Sequence, residues 1–317
     1  MAHDLRAGAL AAESRIRSFV RETPLEHSPV LSERTGARVF VKLENLQHTG
    51  SFKVRGAFNK LLTLDALTRA RGVVAASTGN HGAAVAYAMG VLGVAGLIFV
   101  PETASPSKLA SIKRLGGDVR VLGAESAATE IGARKYAEEH AMTYVSPYND
   151  ADVVNGQATI GVEILRQEPQ IDAMYASLGG GGLIGGTGGY AKAVKPDVTV
   201  AAVSPRNSEA MMASIAAGRI VETQHLPTLS DATAGGVEPG AITFDLCRDV
   251  VDRFLDVDED AIRAALRLFI DAHHQLIEGA AAVAIAGLLA DPAAAGRSVA
   301  VVICGGNIGA DRLKAEL

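Results

Sequence analysis

The sequence predicts an α/β protein with parallel sheets flanked by helices. Short runs rich in Val, Ala and Ile alternate with helical stretches. Strands that read as continuous apolar runs are typical of parallel sheets covered on both faces. At 317 residues the chain is long for a single core, so two lobes are expected. Hydrophobic residues make up 48% and charged residues 21% of the chain, as in globular proteins rather than disordered ones.

The first part of the chain leads into a first series of alternating elements. An amphipathic helix is predicted over 10–20, and Pro24 ends it. A β-rich run covers 38–43, and helical periodicity covers 51–64 with Ser51 as a possible N-cap. The strands of the first series are predicted at 73–75, 96–100, 118–122 and 143–145. Its helices are predicted at 80–92, 106–115 and 124–140.

A second series follows and completes the α/β pattern. Its helices are predicted at 152–166, 183–194, 208–217, 259–273 and 279–289. Its strands are predicted at 173–177, 198–203 and 298–303. Residues 218–240 form the longest irregular stretch, which favours a functional loop there.

Composition excludes several classes of function. The net charge is −5 and no basic run is interleaved with aromatic residues, which argues against nucleic acid as a partner. Two cysteines make no disulfide framework and suit a reducing compartment. Charged residues interrupt the N-terminal apolar residues, so no secretory signal is expected. The apolar runs are too short to cross a bilayer, and a cytoplasmic protein without membrane contact is predicted.

Lys53 is the first candidate for chemistry. It stands among Phe52, Val54, Gly56 and Ala57, whose small or apolar character could desolvate its amine. Desolvation lowers a lysine pKa and makes the amine a better nucleophile toward a carbonyl. An ordinary lysine on a helix face, reaching to water, is the alternative explanation of the same stretch.

Three glycine-rich stretches each follow a predicted strand, where open α/β sheets bind ligands. They cover 77–82, 179–182 and 304–307. The first can bring backbone N–H groups and short polar side chains to an anion at a helix N-terminus. The second has four consecutive glycines, an arrangement suited to bare backbone around a phosphate. It has neither the Lys-Ser/Thr ending of a Walker loop nor a GxGxxG pattern. A tight strand-to-helix turn is the alternative for each stretch.

Taken together, these motifs resemble the fold type II pyridoxal-phosphate enzymes, a two-domain tryptophan synthase β-like fold, in the branch of threonine and serine dehydratases and serine racemases. The resemblance covers nearly the whole chain. The matching motifs lie at 23–25, 42–47, 50–57, 77–82, 156–159, 179–183 and 305–307. The lysine and tetraglycine motifs are highly specific in this order.

The resemblance implies pyridoxal 5′-phosphate as cofactor and a role for each matching residue. Lys53 would form the Schiff base and act as the general base, and Phe52 would pack on the ring. Asn80 would bind the phenolic oxygen of the cofactor. Residues 77–81 would hold the substrate carboxylate. The phosphate would be held by Gly179, Gly180, Gly181, Gly182 and Leu183, and the carboxylate by Ser77, Thr78, Asn80 and His81.

Two positions depart from the family pattern. Cys304 stands where a serine usually lies beside the pyridine nitrogen; a thiol is a weak donor and would leave that nitrogen unprotonated. Thr78 stands where racemases of this group carry a serine that acts on the opposite face. It keeps a hydroxyl but has a restricted rotamer, so racemisation is possible but not favoured. Glu278 matches a family glutamate near the cofactor, or is simply an acid at a helix N-terminus.

No divalent metal is expected at the family's cation site. The positions that carry Glu and Asp in metal-binding relatives correspond here to Ser204 and Ala210, and Glu209 is one residue out of place. Hard cations need several oxygen ligands. Since the sequence ends at Leu317, soon after the last motif, the resemblance implies no C-terminal effector domain.

The resemblance also implies the domain plan and the assembly. Residues 1–71 and 150–317 would form the large cofactor-binding domain, and residues 72–149 a small mobile domain whose closure expels water. A homodimer or homotetramer is expected.

Three functions are weighed. The first is a dehydratase that converts a β-hydroxy amino acid to a 2-keto acid and ammonia; the substrate could be serine, threonine, 3-hydroxyaspartate or a hydroxylated diamino acid from hydroxyectoine breakdown. The second is a serine- or aspartate-type amino-acid racemase. The third is a phosphate- or nucleotide-binding protein without catalysis, which leaves Lys53 and its neighbours unexplained.

Overall fold

The computed structural model describes residues 4–104 and 106–316 and contains two sheets. The six-stranded sheet has the order β1-β2-β10-β7-β8-β9, and the four-stranded sheet has the order β5-β4-β3-β6. All pairings are parallel except that of β1 with β2. The strands are β1 (Leu25–His27), β2 (Arg38–Leu43), β3 (Val73–Ala76), β4 (Gly96–Val100), β5 (Asp118–Val121), β6 (Thr143–Tyr144), β7 (Ala173–Ser177), β8 (Thr199–Pro205), β9 (Arg253–Val257) and β10 (Ser298–Ile303).

Helices cover the sheets and connect consecutive strands. They are α1 (Leu5–Ile16), α2 (Pro29–Thr35), α3 (Lys53–Thr63), α4 (Ala66–Arg71), α5 (Asn80–Leu92), α6 (Pro106–Arg114), α7 (Ser126–Glu139), α8 (Ala151–Gln167), α9 (Gly182–Val194), α10 (Ala210–Ala216), α11 (Ile242–Val250), α12 (Glu259–His273), α13 (Gly279–Ala290) and α14 (Ala310–Glu316). Among the described residues, none of the helices is long and apolar enough to cross a membrane.

The core of the larger lobe lies around the central strands β7 and β10. Every residue of β7 is buried, and so is every residue of β10 after Ser298. Helices α9 and α13 both pack on β7, and α13 is buried from Gly279 to Leu288 because its side chains are small and apolar. Strands covered on both faces have no polar face to alternate, which explains their continuous apolar sequences and confirms the predicted fold class.

The two sheets draw on different parts of the chain. Strands β3 to β6 are consecutive and form the four-stranded sheet, whereas the six-stranded sheet combines β1 and β2 with β7 to β10. Helix α7 packs on β3 and β4, and α5 packs against the same two strands. A separate apolar core fills the space between this sheet, α5 and α3.

Two predicted helix starts were wrong. The first helix runs over Leu5–Ile16 rather than 10–20, because Asp4 accepts a hydrogen bond from the backbone N–H of Ala7 at 3.0 Å and caps it there. Ser51 is not the N-cap of the third helix: α3 begins at Lys53 after Phe52. Ser51 instead forms an isolated antiparallel bridge with Gly305, so tertiary pairing replaces the local cap.

Some elements were not predicted from the sequence, but the irregular stretch 218–240 was predicted correctly. Strand β1, helix α2 and strand β9 are short and mix polar and apolar residues. Helix α11 was missed although its sequence is amphipathic, with Thr243, Phe244, Cys247 and Val250 buried on one face. No regular element lies among the described residues 218–240, as predicted. That stretch is held by scattered hydrogen bonds rather than by a ladder.

Helices α3 and α8 cross at two glycines, and this contact places the start of α3. A Cβ atom added to Gly156 would lie 2.6 Å from the Cα atom of Gly56, a distance that real Cβ contacts do not reach. Only glycine lets the two backbones approach so closely. The crossing therefore depends on the glycine of the 156–159 motif.

A buried charge cluster fixes the same region. The guanidinium of Arg55 donates to Glu44 at 2.8 Å and to Glu163 at 2.7 Å, and the amine of Lys42 donates to Glu163 at 2.7 Å. The side chains of all four residues are fully buried. Removal of one partner from such a cluster leaves an uncompensated charge and costs about 3–5 kcal/mol. Because Arg55 lies two residues after Lys53, the cluster holds the first turn of α3 in place.

Candidate active site

A cavity of about 590 Å³ opens at the carboxyl ends of β3, β7 and β10. This is the edge at which open parallel sheets bind ligands, and the volume is typical of a small-molecule site. All residues that the sequence singled out as catalytic, cofactor-binding or substrate-binding line this cavity. They are Phe52, Lys53, Ser77, Thr78, Asn80, His81, Gly179, Gly180, Gly181, Gly182, Leu183 and Cys304.

Lys53 lies at the first position of α3, with its amine directed into the cavity wall. The amine donates a hydrogen bond to the carbonyl oxygen of Pro147 at 2.8 Å. Surrounding protein withdraws it from bulk water, and this desolvation lowers its pKa to about 8 despite the opposing influence of Cys304 and Glu278. At pH 7 about one amine in ten is therefore uncharged, far more than for an exposed lysine.

The residues around Lys53 are fixed by the end of β10. The backbone N–H of Phe52 donates to the carbonyl of Cys304 at 3.0 Å, and the N–H of Gly306 donates to the carbonyl of Gly50 at 2.9 Å. The ring of Phe52 is buried, with its centroid 5.2 Å from the amine of Lys53. These bonds tie the loop before α3 to the cavity floor.

Cys304 directly follows β10 and faces the end of β7. Its sulfur lies 3.7 Å from the hydroxyl oxygen of Ser177. Complete burial raises the pKa of the thiol, so Cys304 is a neutral, weak hydrogen-bonding group at neutral pH.

The four glycines connect β7 to α9. Gly181 has φ +86°, a conformation that side-chain-bearing residues rarely adopt. A Cβ atom on Gly180 would lie 2.3 Å from the ring of Tyr148. The first backbone N–H groups of α9 have no partner within the helix, so the loop presents bare donors at a positive helix end.

A second helix start faces the cavity at 77–81. The hydroxyl of Ser77 accepts a hydrogen bond from the N–H of Gly79 at 3.1 Å, and Asn80 begins α5. His81 is buried and its Nε2 lies 2.8 Å from the carbonyl oxygen of Val145. A carbonyl only accepts, so Nε2 carries the proton. Burial and the nearby charge of Lys53 lower the pKa of His81 to about 3, which keeps the imidazole neutral.

Three side chains join the two lobes at the cavity wall. The amide nitrogen of Asn80 donates to Glu278 Oε1 at 2.7 Å, and the amide nitrogen of Asn307 donates to Asn80 Oδ1 at 2.7 Å. The backbone N–H of Asn307 donates to Glu278 Oε2 at 3.2 Å. Burial raises the pKa of Glu278 to about 7. Glu278 is also the N-cap of α13, without a side-chain capping bond, so both sequence interpretations hold for its position.

Sequence reasoning missed Pro147 and Tyr148. Both line the cavity after β6, and the hydroxyl of Tyr148 accepts a hydrogen bond from the backbone N–H of Glu238 at 3.0 Å. The sequence did contain a signal for them, because both residues closely follow the strand predicted at 143–145, and ligands bind beyond the ends of such strands. The irregular stretch 218–240, for which a functional loop was predicted, reaches the cavity through Asp231, Ala232 and Thr233.

His273 and the cation-site position Ser204 do not line the cavity. The ring of His273 is hydrogen-bonded to Ser28 at 2.9 Å. Ser204 donates to the carbonyl of Leu178 at 3.2 Å. Among residues 4–104 and 106–316, no group of three or more His, Cys, Asp or Glu side chains is arranged to hold a metal ion.

Comparison with known proteins identifies the family. The family model described as "Pyridoxal-phosphate dependent enzyme" matches residues 16–305. The chain is 39% identical over 297 residues to an L-threonine ammonia-lyase of Thermotoga maritima, covering 94% of this chain and 74% of that protein. A processed threonine deaminase isoform 2 of Solanum lycopersicum superposes with TM-score 0.94 at 30% identity, covering 100% and 93%. Maize serine racemase superposes with TM-score 0.92 at 30% identity, covering 98% and 95%.

The residues of the cavity fit pyridoxal phosphate. An aldehyde condenses with an uncharged amine, and desolvation favours that form of Lys53. A phosphate group matches the bare donors before α9, where Tyr148 leaves no room for a Cβ atom at Gly180. Cys304 keeps its proton and brings no charge to the ring site. The chain belongs to the pyridoxal-phosphate-dependent enzymes of fold type II.

Proposed function

We propose that this enzyme is an ammonia-lyase that converts a β-hydroxy amino acid, such as L-threonine or L-serine, to a 2-keto acid and ammonia. The observation that carries the proposal is the position of Lys53: a buried amine with lowered pKa shares one cavity with the helix start at 77–81. The similarity to an L-threonine ammonia-lyase over 94% of the chain supports the same chemistry.

The cofactor and Lys53 have different roles in the first proton transfer. Pyridoxal phosphate, when bound, acidifies the α-proton of the substrate by taking up the electrons released. The amine of Lys53, uncharged in an appreciable fraction at neutral pH, takes that proton as general base. A base with a pKa near the working pH is effective in both accepting and returning a proton.

The start of α5 binds the substrate carboxylate. Its free N–H groups and the positive end of its dipole attract an anion. Ser77, Thr78, Asn80 and His81 add side chains around that point. Burial keeps the imidazole of His81 neutral, so it adds no positive charge beside the amine of Lys53. The carboxylate is thereby held on one side of the cavity while the α-carbon faces Lys53.

Racemisation is the second candidate, and one observation favours it. The hydroxyl of Thr78 lines the same cavity as Lys53, so two proton-carrying groups border the substrate position. The similarity to maize serine racemase is consistent with this chemistry. The methyl group of Thr78 restricts its side chain, and we rank racemisation below elimination.

The remaining features of the proposal concern organisation. We propose a large domain of residues 1–71 and 150–317, of which 1–3 and 317 lie outside the described residues, and a small mobile domain of residues 72–149. The four-stranded sheet, built only from β3 to β6, supports this division. We further propose a cytoplasmic homodimer or homotetramer that needs no divalent metal at Ser204 and Ala210. Two buried free cysteines suit a reducing compartment.

The test is release of keto acid and ammonia by the purified enzyme loaded with cofactor. The panel contains L-serine, L-threonine and L-threo-3-hydroxyaspartate, each with and without chelator, with Lys53→Ala in parallel. We expect turnover that chelator does not change and that falls by several orders of magnitude in Lys53→Ala, because the general base is lost. Chiral analysis of recovered serine separates elimination from racemisation.

Two outcomes would contradict the proposal. Equal turnover in Lys53→Ala would remove Lys53 from the chemistry. Inversion of serine without keto acid would make the enzyme a racemase. Absence of both reactions with a bound cofactor would exclude the tested substrates and direct the search to hydroxylated diamino acids and the loop at 231–240.

A further inference from the structure

The amide of Asn80 is held from both ends by the larger lobe. Its nitrogen donates to Glu278 Oε1 at 2.7 Å and its oxygen accepts from the amide nitrogen of Asn307 at 2.7 Å. Asn307 Nδ2 also donates to the carbonyl of Thr49 at 2.8 Å. All three side chains line the cavity that contains Lys53.

The donors and acceptors in this network determine which way the amide points. A carboxylate only accepts, so Glu278 requires the nitrogen of Asn80 on its side. Asn307 uses both of its N–H groups, on Thr49 and on Asn80, so it requires the oxygen of Asn80 on its side. A turned amide would set two donors against each other at one end and two acceptors at the other.

We propose that Glu278 and Asn307 are positioning residues that lock the amide of Asn80, so that its second N–H is presented to an anionic oxygen of the bound cofactor. In the hydrogen bonds of the described residues, that N–H has no acceptor. The inference rests on the cavity being the cofactor site, but not on the identity of the substrate.

The lock needs Glu278 as a carboxylate that accepts two N–H groups. Asp231 and the loss of hydration disfavour the charged form, whereas Asn80, the N–H of Asn307 and Lys53 favour it. Cys304 also faces the carboxyl group, as a neutral thiol. The resulting pKa of about 7 means that protonation below pH 7 removes one acceptor and loosens the lock. The cofactor environment should therefore change with pH in this range.

Glutamine at position 278 cannot replace the carboxylate. Its single oxygen can face Asn80 or the N–H of Asn307, and its NH₂ group then meets the other donor. Aspartate at position 307 creates the opposite conflict, because it cannot donate to Asn80 Oδ1. E278Q therefore leaves one buried conflict and N307D leaves two, at Asn80 Oδ1 and at the carbonyl of Thr49, and such conflicts cost more than an ordinary hydrogen bond gains.

The double change should rebuild the network with reversed polarity. In E278Q/N307D the NH₂ of glutamine can donate to Asn80 Oδ1, and aspartate can accept from Asn80 Nδ2. The formal charge of the pair is the same as in the wild type. The bond to Thr49 is not restored, because a carboxylate oxygen of Asp at position 307 meets the carbonyl of Thr49 in N307D and in the double variant alike. The double variant would present an oxygen, not an N–H, to the cofactor, and so it separates folding from orientation.

The experiment compares wild type, E278Q, N307D and E278Q/N307D, with E33Q as a control that removes an exposed carboxylate on α2. Three quantities are measured: the unfolding midpoint of the apoprotein, the Kd for pyridoxal phosphate, and the pH dependence of the visible absorption of the bound cofactor. We expect both single variants to lose a few degrees in the midpoint, and the double variant to unfold at a higher temperature than N307D, because only the conflict with Thr49 remains in it.

The affinity for pyridoxal phosphate and the absorption of the bound cofactor should not return to wild-type values in the double variant. We expect the double variant to bind pyridoxal phosphate about tenfold or more weakly and to shift the apparent pKa of the absorption by about one unit, the size of one hydrogen bond to a charged group. Wild-type affinity and absorption in the double variant would overturn the proposal, as would unchanged absorption in both single variants. Should the single variants fail to fold, the double variant still decides. Wild type that binds cofactor without turning over any substrate would contradict the lyase proposal alone.

Discussion

At the residue scale, desolvation sets the protonation states around the cavity. The amine of Lys53 and the imidazole of His81 both have lowered pKa values because burial disfavours their charged forms. The carboxyl group of Glu278 has a raised pKa for the same reason. The three shifts move charge out of the cavity. The uncharged fraction of Lys53, about one amine in ten at pH 7, is then available to a carbonyl group beside a neutral histidine.

The lowered pKa of Lys53 predicts how the rate of its chemical labelling in the apoprotein depends on pH. Only the uncharged amine reacts with an acylating reagent, so the labelling rate of Lys53 should rise about tenfold per pH unit below pH 8 and level off above it. The labelling rate of a lysine in an unstructured reference peptide added to the same sample should keep rising to about pH 10. Competitive labelling followed by mass spectrometry of the two peptides measures both midpoints. A midpoint near 10 for Lys53 would contradict the desolvated amine.

At the element scale, the site is assembled from helix starts that meet strand ends. Lys53 begins α3, Asn80 begins α5 and Gly182 begins α9. The loop before α3 is hydrogen-bonded to the residues that follow β10. Backbone bonds of this kind do not depend on the side chains, so the cavity keeps its shape when single side chains change.

The glycine loop gives a prediction at this scale. Gly180→Ala would bring a Cβ atom within 2.3 Å of the ring of Tyr148, so the loop or the ring must move. We expect a loss of about 1–3 kcal/mol in the free energy of unfolding, as for overpacked sites, together with weaker binding of pyridoxal phosphate. Urea unfolding and cofactor titration measure the two effects.

Gly236→Ala is the matched control for this change. A Cβ atom at Gly236 meets nothing within 4 Å, and the residue lies in the irregular stretch 218–240. We expect no loss of cofactor affinity. Equal effects of the two substitutions on stability and cofactor affinity would show that the contact between a Cβ atom at Gly180 and the ring of Tyr148 is not their cause.

At the scale of the whole molecule, residues near the four-stranded sheet contact the irregular stretch 218–240 that reaches the cavity. Arg134 on α7 forms an ion pair with Glu238, which lies in the irregular stretch after α10. The same guanidinium lies over the ring of Tyr144, 4.2 Å from its centroid. Since Glu238 also donates its backbone N–H to Tyr148, the loop at 231–240 is held by two residues of the smaller lobe.

Breaking this ion pair should loosen the loop with little effect on global stability. Arg134 is about one third exposed, and such pairs contribute about 0.2–1 kcal/mol. For Arg134→Gln we expect an unfolding midpoint within a few degrees of wild type and faster amide hydrogen exchange in residues 231–240. Hydrogen exchange read by mass spectrometry checks this.

Lys135→Gln provides the control for the exchange experiment. Lys135 is the next residue on α7, it is exposed, and its ion pair with Glu139 stays within the helix. We expect its exchange pattern to match wild type. Identical exchange in Arg134→Gln would mean that the ion pair does not restrain the loop.

The sequence by itself predicted the fold class, and the resemblance of its motifs to a known family predicted the cofactor and part of the cavity lining, without Pro147 and Tyr148. Continuous apolar strands specify parallel sheets because both faces are covered. Glycine after a strand and a lysine among small residues are local requirements of the chemistry. Each of these patterns consists of residues that are adjacent in the sequence, so it can be recognised without knowledge of the three-dimensional structure.

Only the tertiary structure decided which distant side chains meet. Asn80 contacts Glu278, which lies 198 residues later in the chain, and Asn307, which lies 227 residues later. Ser51 lost its predicted capping role because Gly305 pairs with it across the fold. The pKa values of Lys53 and Glu278 likewise depend on burial, which is the sum of contacts from many elements. Such properties arise from packing in space, and no local pattern records them.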